Sequence, residues 1–387
     1  MPDSRDEPCL RLGDGVAGVD ARAWDACAGA GNPTLSYDFL AALEESGCVG
    51  KRTGWRPCPL LLEAADRTLL GAAPLYLKSH SQGEYVFDHG WAEAFERAGG
   101  RYYPKLLAAV PFTPVPGPRL LVRPGPKAEG HRRALAAGLV AAARQLGVSS
   151  LHVNFAEPGD AAQLAAAGLM QRVGTQYHWQ NAGYGTFEDF LGALSSRKRK
   201  MIRKEREAAR RGGLTLKRLV GADIKKHHWQ KFFGFYIDTG NRKWGRPYLT
   251  RAFFEEIGAR MADRILLVMA EHDGHPVAGA LNLIGRDALY GRNWGSDGAF
   301  RFLHFEACYY QAIDFAIENR IGRVEAGAQG EHKIARGYLP VETRSLHFIA
   351  DPRFAAAVSD FLKRESSMVE GERAALADYA PFKRAEE

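Results

Sequence analysis

The expected fold rests on residues 264–319, which read RILLVMAEHDGHPVAGALNLIGRDALYGRNWGSDGAFRFLHFEACYYQAIDFAIEN. Two apolar runs flank Asp273-Gly274, a dipeptide that favours the two-residue turn of a β-hairpin. A third apolar run follows at 289–294, and apolar residues then recur at helical spacing over 304–319. The stretch therefore predicts an antiparallel hairpin, a third strand and one long helix.

The same order of elements occurs in both halves of the chain. Each half begins with two helices and continues with antiparallel strands, a long helix, a strand, a short helix and a strand. A chain of 387 residues is long enough for two domains of ordinary size. A Gly-rich join at 182–185 separates the halves, so we expect an α/β (α+β) protein with two similar domains, residues 1–183 and 184–387.

One stretch of the first half has no clear periodicity. Residues 91–126 are dense in Pro, Gly and aromatic side chains, which predicts a long structured loop with short strands. A helix rich in Ala and Leu follows at 128–147 and ends at Gly147.

The positive charge of the chain is confined to one segment. Lys and Arg number 52 and Asp and Glu number 45, which gives a net charge of +7. Residues 195–211 (SSRKRKMIRKEREAARR) hold nine basic and two acidic residues, so the rest of the chain is neutral. Because Gly212-Gly213 follows, the sequence predicts a basic helix over 196–211.

Several features favour a cytoplasmic protein without a metal. No run approaches 18 consecutive apolar residues, and the acidic start lacks the apolar segment of a signal peptide. Five cysteines without a C-x-x-C motif argue against a disulfide framework and a zinc site. His227 and His228 are adjacent, and neighbouring helical side chains point about 100° apart. We therefore expect no metal site, and we expect Cys308 to be a small core residue.

Five segments give the chain a specific resemblance. The order of elements resembles that of the GNAT (N-acyltransferase) fold, and the segments are similar to those of the FemAB-like tandem-GNAT proteins of peptidoglycan biosynthesis or recognition. The segments are 36–55 (SYDFLAALEESGCVGKRTGW), 197–213, 290–306 (YGRNWGSDGAFRFLHFE), 325–340 (EAGAQGEHKIARGYLP) and Ser345-Leu346-His347. The resemblance implies two tandem GNAT domains with mixed, mainly antiparallel sheets.

The resemblance also implies a chemistry. In GNAT folds the third strand and the next strand splay apart, and the gap binds the arm of the acyl donor, while the start of the long helix receives its pyrophosphate. In the better understood Fem enzymes the donor is an aminoacyl-tRNA and the acceptor a peptidoglycan precursor. An N-acyltransferase is implied that has no permanently bound cofactor. Its phosphate-bearing donor is acyl-CoA or aminoacyl-tRNA, and its acceptor is an amine, with a cell-wall precursor as one candidate.

The densest set of suitable groups follows the strand at 323–326, in a Gly-rich loop. Acyl transfer to an amine requires a base, a group that polarises the carbonyl and a proton for the leaving group. The loop holds three acid–base candidates and two cations that meet this need. The two cations are three residues apart and lie on one face if the stretch forms a helical turn. The set is Glu325, Gln329, Glu331, His332, Lys333 and Arg336. The other interpretation is a salt-bridged surface turn.

A second set precedes the long helix. It consists of Tyr290, Arg292, Trp294 and Gly295, expected to bind the donor, and His304, expected to act in catalysis, with Glu306 nearby. Residues 292–297 resemble the GNAT pyrophosphate signature [QR]-x-x-G-x-[GA], but Asp297 stands where Gly or Ala is usual. A carboxylate at that position repels a pyrophosphate, so the donor stays open.

The first domain lacks a recognisable pyrophosphate loop and is expected to bind the acceptor or to act as a scaffold. Polar and aromatic residues at 88–91, 102–105 and 152–154 are candidates for lining an acceptor groove.

The basic helix has three interpretations. It can hold phosphates of a donor such as tRNA, lie against an anionic membrane surface, or be a solvated face. Met201 and Ile202 are its only large apolar residues, too few for membrane insertion. We favour phosphate binding through Arg199, Lys200 and Arg203. The rival function for the whole chain is a non-catalytic GNAT-type module that binds peptidoglycan fragments or RNA.

Overall fold

The computed structural model describes residues 8–211, 213–242, 245, 247–298, 300–327 and 330–383. Within these ranges the chain divides into two compact units. The first comprises the residues up to Ala30, Thr34–Gly174 and Glu342–Gly371, and the second comprises Gly31–Pro33, Thr175–Val341 and the residues from Glu372 onward. The sequence predicted a single division between residues 183 and 184. In the structure, each unit contains segments from both sides of that position.

The bounds of the elements follow the chain. The strands are β1 (Cys9–Leu12), β2 (Trp55–Pro57), β3 (Leu60–Glu63), β4 (Leu69–Ala73), β5 (Leu75–Lys78), β6 (Lys105–Ala108), β7 (Leu121–Val122), β8 (Ser150–Ala156), β9 (Met170–Gln180), β10 (Leu214–Val220), β11 (Ile265–His272), β12 (His275–Ile284), β13 (Ala288–Ser296), β14 (Arg323–Glu325) and β15 (Leu339–Ile349). The α-helices are α1 (Ala21–Ala28), α2 (Tyr37–Glu45), α3 (His89–Arg97), α4 (Ala128–Gln145), α5 (Pro158–Ala166), α6 (Phe187–Ala193), α7 (Ser196–Arg210), α8 (Lys226–Arg242), α9 (Arg251–Arg260), α10 (Leu303–Phe305), α11 (Gln311–Glu318) and α12 (Pro352–Ala377). The division between the units falls within β9, β15 and α12.

The first unit contains two groups of strands. The smaller sheet has the antiparallel order β1-β3-β4-β7. The larger group has the order β15-β8-β6-β5-β2, in which β6 and β8 are parallel and the other pairs antiparallel. On α4, Leu135 and Leu139 share one apolar core with Leu106 and Leu151 of the strands.

The stretch expected to be a loop at 91–126 contains part of a helix, α3. Trp91 and Ala92 are its buried residues, and most of the rest of this short helix faces solvent. The helix is amphipathic but only nine residues long, and the Pro- and Gly-rich residues that follow it gave the stretch the composition of a loop.

The second unit has strands in the order β10-β11-β12-β13-β14-β9. β13 and β14 are parallel and the other neighbours antiparallel. On one face, Ile202 of α7 and Ile313 of α11 join the core of the strands. On the other face α8 packs so closely that a Cβ on Gly295 would lie 2.3 Å from the backbone of Phe235.

Local sequence chemistry fixes several of these elements. The Ser36 hydroxyl accepts a hydrogen bond from the backbone N–H of Phe39 and begins α2, and Thr186 forms a capping box with Asp189 at the start of α6. Asp273 and Gly274 both have positive φ, as the predicted hairpin turn requires. The predicted hairpin is thereby confirmed.

The long helix predicted over 304–319 is not regular. A π-helical turn, Glu306–Tyr310, lies between α10 and α11. Such turns have one extra residue per hydrogen-bonded ring and occur frequently at functional sites. Nothing in the sequence signals this irregularity, because the apolar residues continue at a helical spacing.

The contact between α8 and β13 generates a test of the packing. We expect Gly295→Ala to lower the free energy of unfolding by about 2 kcal/mol, because the new methyl group overlaps the Phe235 backbone. Gly234→Ala, within α8, is the control, since nothing lies within 4 Å of its Cβ. We expect it to stabilise the protein by about 0.5–1 kcal/mol. Denaturant unfolding measures both, and equal stability of the two variants would contradict the packing described here.

Candidate active site

β13 and β14 separate after a short contact. Their parallel pairing covers Ala288–Tyr290 and Arg323–Glu325, whereas the pairing of β13 with β12 continues to Ser296. A bulge leaves Arg292 without an opposite residue on β12, and a bulge bends the strand that contains it. Beyond Tyr290, therefore, one edge of β13 has no strand partner among the described residues, as the expected splay requires.

A cavity of about 120 Å³ lies in this gap. Three residues expected from the sequence line it: Arg292, Trp294 and His304. The lining also includes Cys308 and Tyr309 of the π-helical turn, and Ala326, which follows β14. Cys308 is half-buried: it packs against the apolar core of the second unit, as predicted, and it also lines this cavity.

Lys333 lies in the turn that follows Ala326 of this lining along the chain. Its side chain is only 2% exposed, and its Nζ donates a hydrogen bond to the carbonyl of Gly327 at 3.1 Å. Among the described residues no carboxylate lies within ion-pair distance of this ammonium. Burial lowers the pKa of Lys333 to about 8. A buried ammonium without a carboxylate partner is rare in proteins and typical of functional sites.

His332 forms a hydrogen bond that reaches the cavity lining. Its Nε2 lies 3.0 Å from the hydroxyl of Tyr309. Burial, and then the charges of Arg336 and Lys333, lower the pKa of His332, so the imidazole is neutral at pH 7. Burial raises the pKa of Tyr309. Both groups therefore stay neutral at pH 7, and the hydrogen bond joins an imidazole that can accept a proton to a phenol that lines the cavity.

Glu325 is buried at the end of β14, where Arg323 donates from Nε to its Oε1 at 2.8 Å. Its other oxygen, Oε2, has no hydrogen-bond partner in the described part of the chain and lies 3.9 Å from Nε2 of His178. Burial raises the pKa of Glu325 to about 7 against the opposing charge of Arg323, and burial lowers the pKa of His178 to about 3. Sequence analysis missed His178, whose only signal is a polar residue between Tyr177 and Trp179 in a strand.

Arg336 has a different environment from Lys333. It is buried, and its Nε and Nη2 donate to both oxygens of Glu205 at 3.2 and 2.7 Å. Its Nη1 donates to the carbonyl of His332 at 2.7 Å, and its guanidinium lies 3.5 Å from the ring centre of Phe305. These contacts make Arg336 a residue that positions the turn. They give no support to the donor contact expected from the sequence.

The predicted basic helix is confirmed as α7, and part of its charge is internal. Arg206 donates to Glu306 at 3.1 and 3.2 Å and to Asp314 at 2.5 Å, and Arg210 donates to Glu306 at 3.1 Å. Glu306 is fully buried. Glu306 therefore fastens α7 to the π-helical turn.

The outer face of α7 is more open. Arg203 pairs with exposed Glu188 at 2.5 Å, and Lys200 is exposed. For Lys200 and half-buried Arg199, no ion pair is formed with any described residue. A surface cavity of about 740 Å³ lies along Arg203, Arg206, Arg210 and Arg211.

A family model for FemAB-like proteins, described as peptidoglycan biosynthesis/recognition, matches residues 15–384. The chain belongs to the FemAB-like family. No curated protein matches it in sequence.

Solved structures with a similar fold include FemX, which is 12% identical with a TM-score of 0.55 over 88% of this chain and 98% of FemX. L-PGS from Bacillus licheniformis is 12% identical with a TM-score of 0.51 over 84% of this chain and 95% of L-PGS. A tandem GNAT protein from the clavulanic acid biosynthesis pathway is 14% identical with a TM-score of 0.46 over 89% of this chain and 99% of that protein. The likeness to FemX and the strand pairing confirm the predicted fold of two tandem GNAT domains with mixed, mainly antiparallel sheets.

The remaining predicted residues of this FemAB-like protein take varied positions. Tyr290 is buried at the last paired position of β13, and Glu331 is exposed in the turn before His332. Gly295 lies within β13, where the approach of α8 explains its lack of a side chain. Asp297 is exposed just after that strand. Gln329 lies outside the described residues.

The polar residues of the first unit form a closed network. Lys105, fully buried, donates to Ser81 at 2.7 Å, to Glu84 at 2.8 Å and to Asp88 at 2.5 Å. His152 is also buried, so many of the side chains at 88–91, 102–105 and 152–154 pack inside the unit, whereas His89 and Gly90 are exposed. After β6, the Pro-rich residues 109–117 rejoin β8 through a bridge between Gly117 and Ala156. The position equivalent to the gap of the second unit is thereby filled.

Two kinds of feature are absent from the described part of the chain: a group of metal ligands and a membrane-spanning helix. No three His, Cys, Asp or Glu side chains are grouped so that they could hold a metal ion. None of the described helices is long and apolar enough to cross a membrane.

The buried pair of Glu205 and Arg336 gives a prediction about stability. We expect Glu205→Ala to lower the free energy of unfolding by about 3–5 kcal/mol, because it leaves a buried guanidinium unpaired. The double variant Glu205→Leu/Arg336→Met removes both charges and should recover most of the loss. The control is Glu188→Gln, which breaks the exposed pair with Arg203 and should change stability by less than about 1 kcal/mol. Equal effects at Glu205 and Glu188 in denaturant unfolding would show that Arg336 is not held as described.

Proposed function

We propose that this FemAB-like protein is an N-acyltransferase or aminoacyl transferase whose active site is the gap between β13 and β14 of the second unit. The observation that carries the proposal is Lys333. Holding a charge out of water without an opposite partner is unfavourable, but such a charge strongly stabilises an oxyanion that forms beside it. Lys333 contacts the carbonyl of Gly327, and Gly327 directly follows Ala326 of the cavity lining.

The donor would lie along the unpaired edge of β13. Backbone N–H and C=O groups of a free strand edge bind an extended ligand in the way that they bind another strand. The acyl carbonyl would then lie in the cavity near Lys333, whose ammonium would stabilise the negative charge on the carbonyl oxygen as the amine attacks. Arg292, Trp294 and His304 would contact the donor from the lining.

The proton of the amine would pass to His332. As the C–N bond forms and the bond to the leaving group breaks, the amine nitrogen must lose a proton and the leaving group must gain one. His332 is neutral at pH 7 and forms a hydrogen bond with Tyr309, which lines the cavity. This hydrogen bond supports a route from the amine to the leaving group. Glu325, with its raised pKa, and Glu331 are the alternative bases.

For the donor and the acceptor we propose a chemical class rather than a single compound. The outer face of α7, with Arg199, Lys200 and Arg203, supports a phosphate-bearing donor, and both aminoacyl-tRNA and acyl-CoA fit that description. The family description supports an amine of a peptidoglycan precursor as the acceptor. A non-catalytic module for peptidoglycan fragments or RNA is the second candidate, favoured by the exposed carboxylate of Asp297.

Lys333→Met tests the proposed site. We expect the rate of transfer to fall at least about 100-fold, because removing a group that stabilises an oxyanion has effects of this size. In the wild-type protein kcat/KM should fall above about pH 8, where Lys333 loses its proton. The assay is mass spectrometry of products formed from a panel of acyl-CoAs and aminoacyl-tRNAs with a muramyl peptide precursor.

Lys363→Met, an exposed lysine of α12, is the matched control and should transfer at the wild-type rate. Wild-type activity of Lys333→Met would exclude the proposed site. Binding of the precursor without transfer from any donor would favour the non-catalytic module.

Charge reversal on α7 tests the donor contact. We expect Arg199→Glu/Lys200→Glu to raise the KM for the donor at least about tenfold with little change in kcat, and to reduce the salt dependence of donor binding. Lys363→Glu/Arg364→Glu makes the same change of charge on exposed residues of α12 and should have no effect. If the two double variants behave alike, α7 does not bind the donor. A loss confined to assays with anionic vesicles would instead indicate contact with a membrane surface.

A further inference from the structure

The cavity between β13 and β14 contains a buried amide that the proposed function does not use. Asn282 of β12 lines this cavity and is 1% exposed. The residues two positions away on the same face of β12 are Ala280 and Ile284. Both pack in the apolar core that also contains Ile313 of α11. A polar side chain in the middle of this apolar row is not explained by packing.

Only one end of this amide is satisfied within the protein. The Nδ2 of Asn282 donates a hydrogen bond to the carbonyl of Leu266 on β11 at 3.4 Å. Because a carbonyl oxygen can only accept, this contact fixes the nitrogen of the amide toward β11. Among the described residues, Oδ1 of Asn282 has no hydrogen-bond partner. Burying such an oxygen is unfavourable unless something donates to it, and the cavity is where that donor can lie.

The space in front of Oδ1 is kept open by a glycine. Gly291 of β13 lies opposite Asn282 in the register of the two strands. A Cβ on Gly291 would lie 3.4 Å from Oδ1 of Asn282, 3.3 Å from the carbonyl oxygen of Glu325 and 3.4 Å from Cα of Ala326. The φ of Gly291 is not positive, so its backbone conformation does not require glycine. The missing side chain instead leaves room between the amide and the end of β14.

The size of the cavity limits the length of a ligand. Its volume is about 120 Å³, and a protein cavity of about 150 Å³ holds one benzene molecule. An acyl group of about three or four carbon atoms therefore fills it. Three aromatic side chains of the lining are in contact: the ring of His304 lies 5.4 Å from that of Trp294 and 5.3 Å from that of Tyr309. A longer chain would have to displace these rings.

The charges around the cavity favour a neutral polar group over an ammonium. Arg292 is a cation of the lining, and no carboxylate lines the cavity in the described part of the chain. The side chain of Glu325 points to the other face of the sheet, because the adjacent Val324 packs in the core on the side of α11. An ammonium in the cavity would therefore lack an opposite charge, which is unfavourable. A hydroxyl needs only an acceptor such as Oδ1 of Asn282.

We propose that the cavity binds a short acyl group that carries a hydroxyl, and that Asn282 selects this group by accepting a hydrogen bond from the hydroxyl at Oδ1. This inference rests on the proposed function, which places the acyl carbonyl in the cavity, and it adds the class of acyl group. A site built to bond a substrate hydroxyl rejects the analogue that lacks it, because the buried partner is then left unpaired.

Acyl groups that differ only in one substituent test the selection. The set is propionyl, lactoyl, 3-hydroxypropionyl and alanyl, each presented to the full-length protein as its coenzyme A thioester and as its tRNA ester, with the muramyl peptide precursor as acceptor. We expect kcat/KM for one of the two hydroxylated groups to exceed that for propionyl and for alanyl at least about tenfold. An octanoyl donor should be at least about tenfold worse than propionyl, because it exceeds the cavity.

Asn282→Leu removes the acceptor and keeps nearly the same volume. We expect the ratio of kcat/KM for the preferred hydroxylated group to that for propionyl to fall to about 1, with no loss for propionyl. The melting temperature should not fall, because an incompletely bonded buried amide is replaced by an apolar side chain. Asn282→Ala should lose the same selectivity without adding bulk. Asn319→Leu, at an exposed position after α11, is the control and should keep the wild-type ratio.

A second measurement needs no donor. Lactamide, 3-hydroxypropionamide and propionamide are small neutral analogues of the acyl groups. Their binding is followed through the ¹⁵N signal of the Asn282 side-chain amide, assigned by its absence in Asn282→Leu. We expect one of the hydroxylated amides to shift this signal at a concentration at least about tenfold lower than propionamide does, because only the hydroxylated compounds donate to Oδ1.

The outcomes separate the inference from the proposed function. Equal transfer of propionyl and both hydroxylated groups, or an unchanged ratio in Asn282→Leu, would overturn the selection by Asn282 and leave the transferase standing. Faster transfer of alanyl than of either hydroxylated group would overturn the preference for a neutral substituent. The absence of product with every donor would count against the transferase itself. An Asn282 signal that responds equally to the three amides, or to none, would overturn the inference in either case.

Discussion

The separation of β13 from β14 is the constraint on which the site depends. Three residue pairs hold the two strands together at Ala288–Tyr290, and beyond them the edge of β13 is open to the cavity. If the pairing continued, the backbone groups of that edge would be satisfied by β14 and no ligand could use them. The first unit shows this alternative, because its residues 109–117 return to β8 at Gly117 and fill the equivalent position.

The same constraint gives the basic helix two roles. Its inward residues brace the parts that border the gap: Arg206 and Arg210 hold the π-helical turn through Glu306, and Glu205 holds the turn of Lys333 through Arg336. On its outer face Arg203 and Arg211 pair with exposed Glu188 and Glu207, whereas Arg199 and Lys200 form no ion pair with a described residue. The net charge of +7 that the sequence assigns to this segment is therefore only partly available to a partner.

Local patterns predicted most of the architecture, and long-range pairs escaped them. The hairpin at Asp273-Gly274 and the caps of α2 and α6 depend on residues within a few positions of one another, so the sequence contains them directly. The pair of Glu205 and Arg336 joins residues 131 positions apart, and no local rule relates them. The sequence identified Lys333 and Arg336 as equivalent cations. Only the folded structure shows that Arg336 has a carboxylate partner and that Lys333 has none among the described residues.

The proposed chemistry requires Lys333 to be a buried ammonium beside the gap, without a carboxylate partner. NMR titration of the protein labelled with ¹³Cε-lysine, with the Lys333 signal assigned by its absence in Lys333→Met, measures the pKa of this ammonium. We expect a pKa of about 8 for this lysine. A pKa near the ordinary value of about 10.4 would mean that the amine is solvated or paired, and Lys333 would then not be the buried cation that stabilises the oxyanion.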